Sequence, residues 1–144
     1  MPAIQPFYDL IGVNASQLSQ EEKTLLDADL FVHVCNELIE IFRQQNKQYF
    51  HFMKFTLEME NAMLESSFIR LIIRDILSTG EYSLQGIACY TATHEDVIQE
   101  LASGLNTKPS ATVLRRTIEL HKSVRHDLYC AIKKKIVAEY SSAA

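Results

Sequence analysis

SLQGIACYTATHEDVIQELASG, residues Ser83–Gly104, is the stretch on which the reading of this 144-residue chain turns. Ser83 suits a helix N-cap, and Leu84, Ile87 and Ala88 follow at the i, i+3, i+4 spacing of one apolar helical face. The run breaks at Tyr90-Thr91-Ala92-Thr93. A second helix is expected from Thr93, whose hydroxyl would cap it, with Asp96 completing a capping box. Val97, Ile98 and Leu101 supply its apolar face, and Gly104 is a natural stop. Two helices of about two turns, joined by about four residues, make a helix-turn-helix.

Further outward, Lys108-Pro109-Ser110 opens a helix carrying Val113, Leu114, Thr117, Ile118 and Leu120. Upstream, an apolar helical pattern through Phe68, Leu71, Ile72 and Ile76 closes at Gly80. The Ser83 cap, the Ile87-Ala88 pair, Ile98, Leu101, the Gly104 stop and the Lys108-Pro109-Ser110 opening stand in a characteristic order and spacing. In these features residues 67 to about 124 resemble the five-helix DNA-binding domain of the lambda-repressor/Cro (XRE) class. Two positions differ from that pattern: the usual turn glycine is Ala92, and the usual glutamine after the first cap is Leu84.

The resemblance implies an all-α fold, a five-helix lambda-repressor-like helix-turn-helix domain, here with an N-terminal helical dimerisation extension. It also implies that the residues opening the second helix of the motif face the major groove of double-stranded DNA. In this chain those are His94, Glu95, Asp96 and Gln99, with Ser103 further along. Gln99 can pair with adenine, His94 can donate to guanine or phosphate, and Glu95 can accept from cytosine. Phosphate contacts would fall to Ser83 and Gln85 at a helix N-terminus, and to Asn106, Thr107 and Lys108 beyond Gly104.

Composition agrees with a packed helical protein. Apolar residues make up 47% of the chain, enough for a core, and neither proline nor glycine occurs between Gly12 and Gly80. No apolar run reaches the length of a membrane span, and Met-Pro-Ala-Ile-Gln lacks the basic start of a signal peptide. Cys35, Cys89 and Cys130 are odd in number, widely spaced and set among apolar neighbours, the pattern of reduced thiols in a cytoplasmic protein.

The net charge of −4 is unevenly spread. Residues 1–80 hold six Lys/Arg against eleven Asp/Glu, whereas 105–135 hold eight basic residues against two acidic ones. That segment (Lys108, Arg115, Arg116, Lys122, Arg125 and Lys133–Lys135) is the one basic stripe in the sequence and a prospective phosphate-facing surface.

The remaining chain divides at about residue 65, into a 1–65 arm with a helical dimerisation region and a 66–144 helix-turn-helix domain with a C-terminal helix. Pro2, Pro6 and Gly12 make residues 1–15 an irregular arm, with Phe7, Tyr8, Leu10 and Ile11 apolar enough to dock. Ser19 and Glu22 form a capping box. A single helix over 17–79 would be about 95 Å long, so helices near 17–44, 47–64 and 67–79 are expected, the last opening at Ser66 or Ser67. A final helix is expected near 123–140. Leu25, Leu26, Leu30, Val34, Leu38 and Ile41 form a stripe that Phe31, Cys35 and Phe42 widen, too broad for two helices to bury in each other. The excess points to a homodimer through Leu30, Val34, Leu38, Ile41, Phe42 and Met53.

Catalytic patterns are weak. His33, Cys35, Glu37, Glu40 and His51 fall on neighbouring helices, yet no Glu-x-x-His or His-x-x-x-His pair is present, so no metal site is expected. No phosphate-cradling glycine loop and no nucleophile–base set accompany His94, His121 or His126. The expected protein is therefore a cytoplasmic, dimeric transcriptional regulator without enzymatic activity or cofactor. The alternative is a protein-interaction module, adaptor or antitoxin-like, whose acidic Glu95-Asp96 face has replaced DNA reading.

Overall fold

A computed structural model describes residues 6–13 and 15–143, with no account of the side chains of Ala15 and 140–143. Among the described residues the protein is all-helical, with seven α-helices and no strand. These are α1 (Gln20–Gln45), α2 (Lys47–Phe52), α3 (Leu57–Ser78), α4 (Leu84–Thr91), α5 (Glu95–Ser103), α6 (Ala111–Val124) and α7 (His126–Ala143). Two 3₁₀ turns, Phe7–Ile11 and Ala15–Gln17, precede them.

The described chain falls into two compact units, one of residues 39–125 and one combining 6–38 with 126–143. In the second unit the 3₁₀ turn Phe7–Ile11 packs against α7. Phe7 and Leu10 are buried in its core with Leu30, Val34, Leu38, Tyr129, Ile132 and Ile136. Phe7 lies 5.5 Å from Phe31, ring centre to ring centre, and its backbone N–H donates to the Asp27 carboxylate. The expected irregular arm is thus an ordered turn over 7–11, closed by Gly12 in the left-handed conformation; residues 1–5 of that expectation lie outside the described residues.

The 39–125 unit is organised around α3, which packs against both α5 and α6, while α4 packs against the same two helices. Leu64, Ile69, Ile72, Ile73 and Ile76 turn one face of α3 into the centre of a core shared with Ile87, Ile98, Leu101, Ile118 and Leu120. Burying such side chains is worth about 1.5–3 kcal/mol each before entropy is counted, so this contact set holds the α4–α5 pair in place.

Several helix boundaries follow the sequence directly. Ser19 and Glu22 bond reciprocally at 3.1 Å in each direction, a complete capping box. Ser83 accepts from Gly86 N–H at 3.1 Å, and Ser110 from Val113 N–H at 3.2 Å. Gly80 and Gly104 both take left-handed φ, 76° and 84°.

Elsewhere the helices differ from expectation. The proposed division at 65/66 falls inside α3, which runs unbroken from Leu57 to Ser78. Ser66 does not open a helix, because its hydroxyl bonds back to the Met63 carbonyl at 3.1 Å while the helix continues through it. Thr56 caps α3 instead, accepting from Met59 N–H at 3.2 Å. The break after α1 comes at Asn46, whose side-chain amide takes the Phe42 carbonyl at 2.8 Å and competes with the helix. Helix α2 ends in a Schellman motif, with Phe55 N–H on Phe50 O at 3.0 Å and Lys54 N–H on His51 O at 3.1 Å. Phe50 and Phe55 stack with centroids 5.5 Å apart, supplying the apolar contact that accompanies such a cap. Its left-handed position, usually glycine, is Lys54 with φ 57°.

Candidate functional site

The turn between α4 and α5 keeps a left-handed backbone although its usual glycine is absent. Ala92 sits at φ 52°, ψ 42°. Thr93 N–H reaches the Ala88 carbonyl at 3.0 Å and Ala92 N–H the Cys89 carbonyl at 3.3 Å, a second Schellman closure. A Cβ in that conformation costs about 1–2 kcal/mol, which the surroundings must offset. Arg116, from α6, does so by donating to the Thr91 carbonyl at 3.1 Å, a cation set on the negative end of α4. Thr91 is itself buried, its hydroxyl donating to the Ile87 carbonyl at 2.8 Å. Ala92→Gly is accordingly expected to stabilise the fold by about 1 kcal/mol, read as a rise in Tm of a few degrees; no gain would mean the strain is absent.

Helix α5 begins one residue later than expected. The Thr93 hydroxyl turns back to the Thr91 carbonyl at 3.1 Å and does not cap. His94 is the N-cap, its Nδ1 accepting from Asp96 N–H at 3.2 Å. With Nδ1 used as the acceptor, Nε2 is the ring nitrogen left for an outside partner. Asp96 lies beside the ring, with a carboxylate oxygen 3.6 Å from Nδ1. It sits in the positive first turn of the helix, where carboxylates are favoured, and makes no reciprocal box with Thr93.

Ile98 and Leu101 anchor α5 in the core, which leaves Glu95, Asp96, Gln99, Glu100 and Ser103 on the exposed side. Glu95, Gln99 and Ser103 follow one another at four-residue spacing on a single face. Ser83, Gln85, Thr107 and Lys108 are exposed too, and Asn106 is half-buried. Asn106 accepts from Lys108 N–H at 3.0 Å, shaping the loop that follows Gly104. Arg70 of α3 packs against that glycine, and a Cβ there would stand 3.4 Å from its guanidinium. In α4, Tyr82 covers Gly86 so closely that a Cβ would meet its ring at 3.2 Å.

A charged cluster that the sequence did not expose fastens this arrangement. Asp75 of α3 accepts from Arg125 at 2.7 and 2.8 Å through both oxygens and lies 2.6 Å from His121 Nε2. His121 is fully buried. Partners 46 and 50 residues apart have no spacing signature, so only the packed structure could reveal them.

Several residues of the basic stripe are engaged within the protein. Arg116 is committed to Thr91 and Arg125 to Asp75. Lys133–Lys135 belong to the other compact unit, where Lys135 pairs with Glu37 at 2.8 Å. No lysine or arginine stands on α5 itself, which exposes three carboxylates.

The expected dimer surface is largely interior. Leu30, Val34, Leu38 and Phe42 are buried within the protomer and Ile41 is half-buried, which leaves Met53 as the exposed one of the six. The apolar band is wide because it is enclosed on several sides by its own chain. The residues weighed as metal ligands are likewise engaged: His33 lies near Asp29 and Glu139, Glu37 near Lys135, and Glu40 near Arg43. Burial pushes the Cys35 thiol up to about 12, so it stays protonated and is a poor ligand. No group of three or more His, Cys, Asp or Glu able to hold a metal occurs among the described residues. No helix among them is long and apolar enough to cross a membrane.

No protein-family model matches the chain, and no curated protein or solved structure is significantly similar to it.

Proposed function

We propose that this chain is a non-enzymatic, sequence-specific DNA-binding transcriptional regulator acting in the cytoplasm as a homodimer. In this reading residues 67 to about 124, most of α3 together with α4–α6, are a lambda-repressor-like helix-turn-helix domain, and α5 is the helix that enters the major groove. The observation that carries it is the α4–turn–α5 pair: two capped helices, held on α3 and α6, with His94, Glu95, Gln99 and Ser103 outward. Ser83, Gln85, Asn106, Thr107 and Lys108 then serve the phosphates flanking the groove. Exposed Leu25, Val32 and Val137, in the unit of 6–38 and 126–143, offer the apolar surface for a second copy in place of the buried residues. Dimers of the resembled class read two half-sites about 34 Å apart.

One observation favours a second reading. With Glu95, Asp96 and Glu100 exposed and no cation on α5, that helix presents a surface suited to a basic protein partner. An adaptor or antitoxin-like interaction module would use the same face without DNA.

Selection from random duplexes at low salt separates the two. For a regulator, a motif is enriched, and Gln99→Ala costs about 1–3 kcal/mol on that motif while leaving non-specific binding nearly unchanged. Glu95→Gln raises non-specific affinity by removing a carboxylate from the phosphate backbone. Enrichment of no motif, together with a basic partner whose binding Glu95→Gln weakens, would replace the first reading by the second.

A further inference from the structure

Nine large apolar side chains are exposed among the described residues, and five of them (Tyr49, Phe52, Met53, Leu57 and Met59) lie within one short stretch. Phe52 is 82% exposed and Leu57 66%. The same corner, where α2 turns into α3, holds a cleft of about 530 Å³ lined by Arg43, Lys47, His51, Lys54, Phe55 and Glu60, among others. Between Glu40 and Glu58 the chain has three Lys/Arg and one His but no acidic residue, although residues 1–80 as a whole are acidic. Arg43 is engaged by Glu40 at 3.2 Å and Glu60 at 3.0 Å. Lys47, His51 and Lys54 are the exposed cationic and imidazole groups of the cleft.

We propose that this corner docks on an anionic lipid bilayer, with Lys47, His51 and Lys54 meeting lipid phosphates while Phe52, Met53 and Leu57 enter the interfacial layer. Cations beside exposed aromatic and aliphatic side chains are the combination that binds such a surface, each part too weak alone. Charge decides between occupants. A second copy docking by a two-fold contact would bring two copies of the same Lys47, His51 and Lys54 cluster into one interface. A nucleic-acid strand would meet the cations and stack on Tyr49 or Phe52, but it would leave the aliphatic Met53, Leu57 and Met59 in water. A bilayer satisfies both halves of the surface. The proposal does not depend on how α5 is used.

Absence of tryptophan from the chain permits a clean test. Full-length protein carrying Phe52→Trp is titrated at low ionic strength with phosphatidylcholine vesicles, with and without phosphatidylserine. The expected result is a blue shift of the single tryptophan on the phosphatidylserine vesicles, with quenching by brominated acyl chains. In that background Lys54→Gly suits the left-handed backbone and removes one charge, so partitioning should fall about fivefold with thermal stability unchanged or higher. Leu57→Glu should abolish the shift while the circular dichroism spectrum stays helical. No shift on anionic vesicles would overturn the proposal, as would equal shifts on both vesicle types. A shift produced by an acidic amphipathic peptide or a single-stranded oligonucleotide, but by neither vesicle, would overturn it in favour of that partner.

Discussion

Replacing Asp75 with alanine is expected to destabilise the 39–125 unit by about 3 kcal/mol, a fall in Tm of about 10 °C for a chain of this length. One carboxylate serves two partners, Arg125 through both its oxygens and His121 at 2.6 Å. His121 is fully buried and the Asp75 side chain is 15% exposed, so water replaces little of what is lost. Removing one member of a buried charged set costs more than the set contributes, because the remaining groups keep their desolvation penalty. Asp75→Asn keeps the shape and one acceptor oxygen, and should cost distinctly less. Thermal and urea unfolding followed by helical circular dichroism would measure both variants. A loss below about 1 kcal/mol for alanine would show that the cluster is incidental to the α3–α6 packing.

Leu38→Ala is expected to cost about 3 kcal/mol of folding stability at every protein concentration, without changing the mass found by light scattering. Leu38 is completely buried in the protomer together with Leu30 and Val34. Truncating it leaves a cavity as well as losing transfer free energy, the two terms that make core leucine replacements severe. An interface leucine behaves differently: its loss shifts a monomer–dimer equilibrium, and the apparent stability then varies with concentration. Concentration-dependent destabilisation with a halved mass would return Leu38 to the dimer surface expected from the apolar band.

Local sequence signals proved legible at several helix starts, where one residue controls its near neighbours. Ser19 with Glu22, Ser83 and Ser110 form the caps their spacing implies, since a side-chain oxygen needs only an N–H three residues on. The apolar rhythm of α3–α6 marks the right core residues, Ile72, Ile76, Ile98, Leu101 and Ile118 among them. The same rhythm in α1 marked Leu30, Val34, Leu38 and Phe42 as a surface for a second copy, whereas the protomer buries them itself. A broad stripe reads identically whether its own chain or a second copy covers it, and sequence carries no record of which.

The sequence by itself determined that this protein is all-helical, that short helices flank a turn at Ala92, and that Gly80 and Gly104 close their helices. These follow from short-range sterics and from hydrogen bonds within a turn or two of chain. Only the tertiary structure decided the rest. Ala92 holds a glycine's conformation because Arg116, 25 residues away from Thr91, grips the end of α4. Part of the basic stripe is spent within the protein, because Arg125 closes on Asp75 and Lys135 pairs with Glu37. Each of these depends on groups far apart in sequence, where charge and apolarity state what a side chain needs but not which partner the packed chain will bring to it.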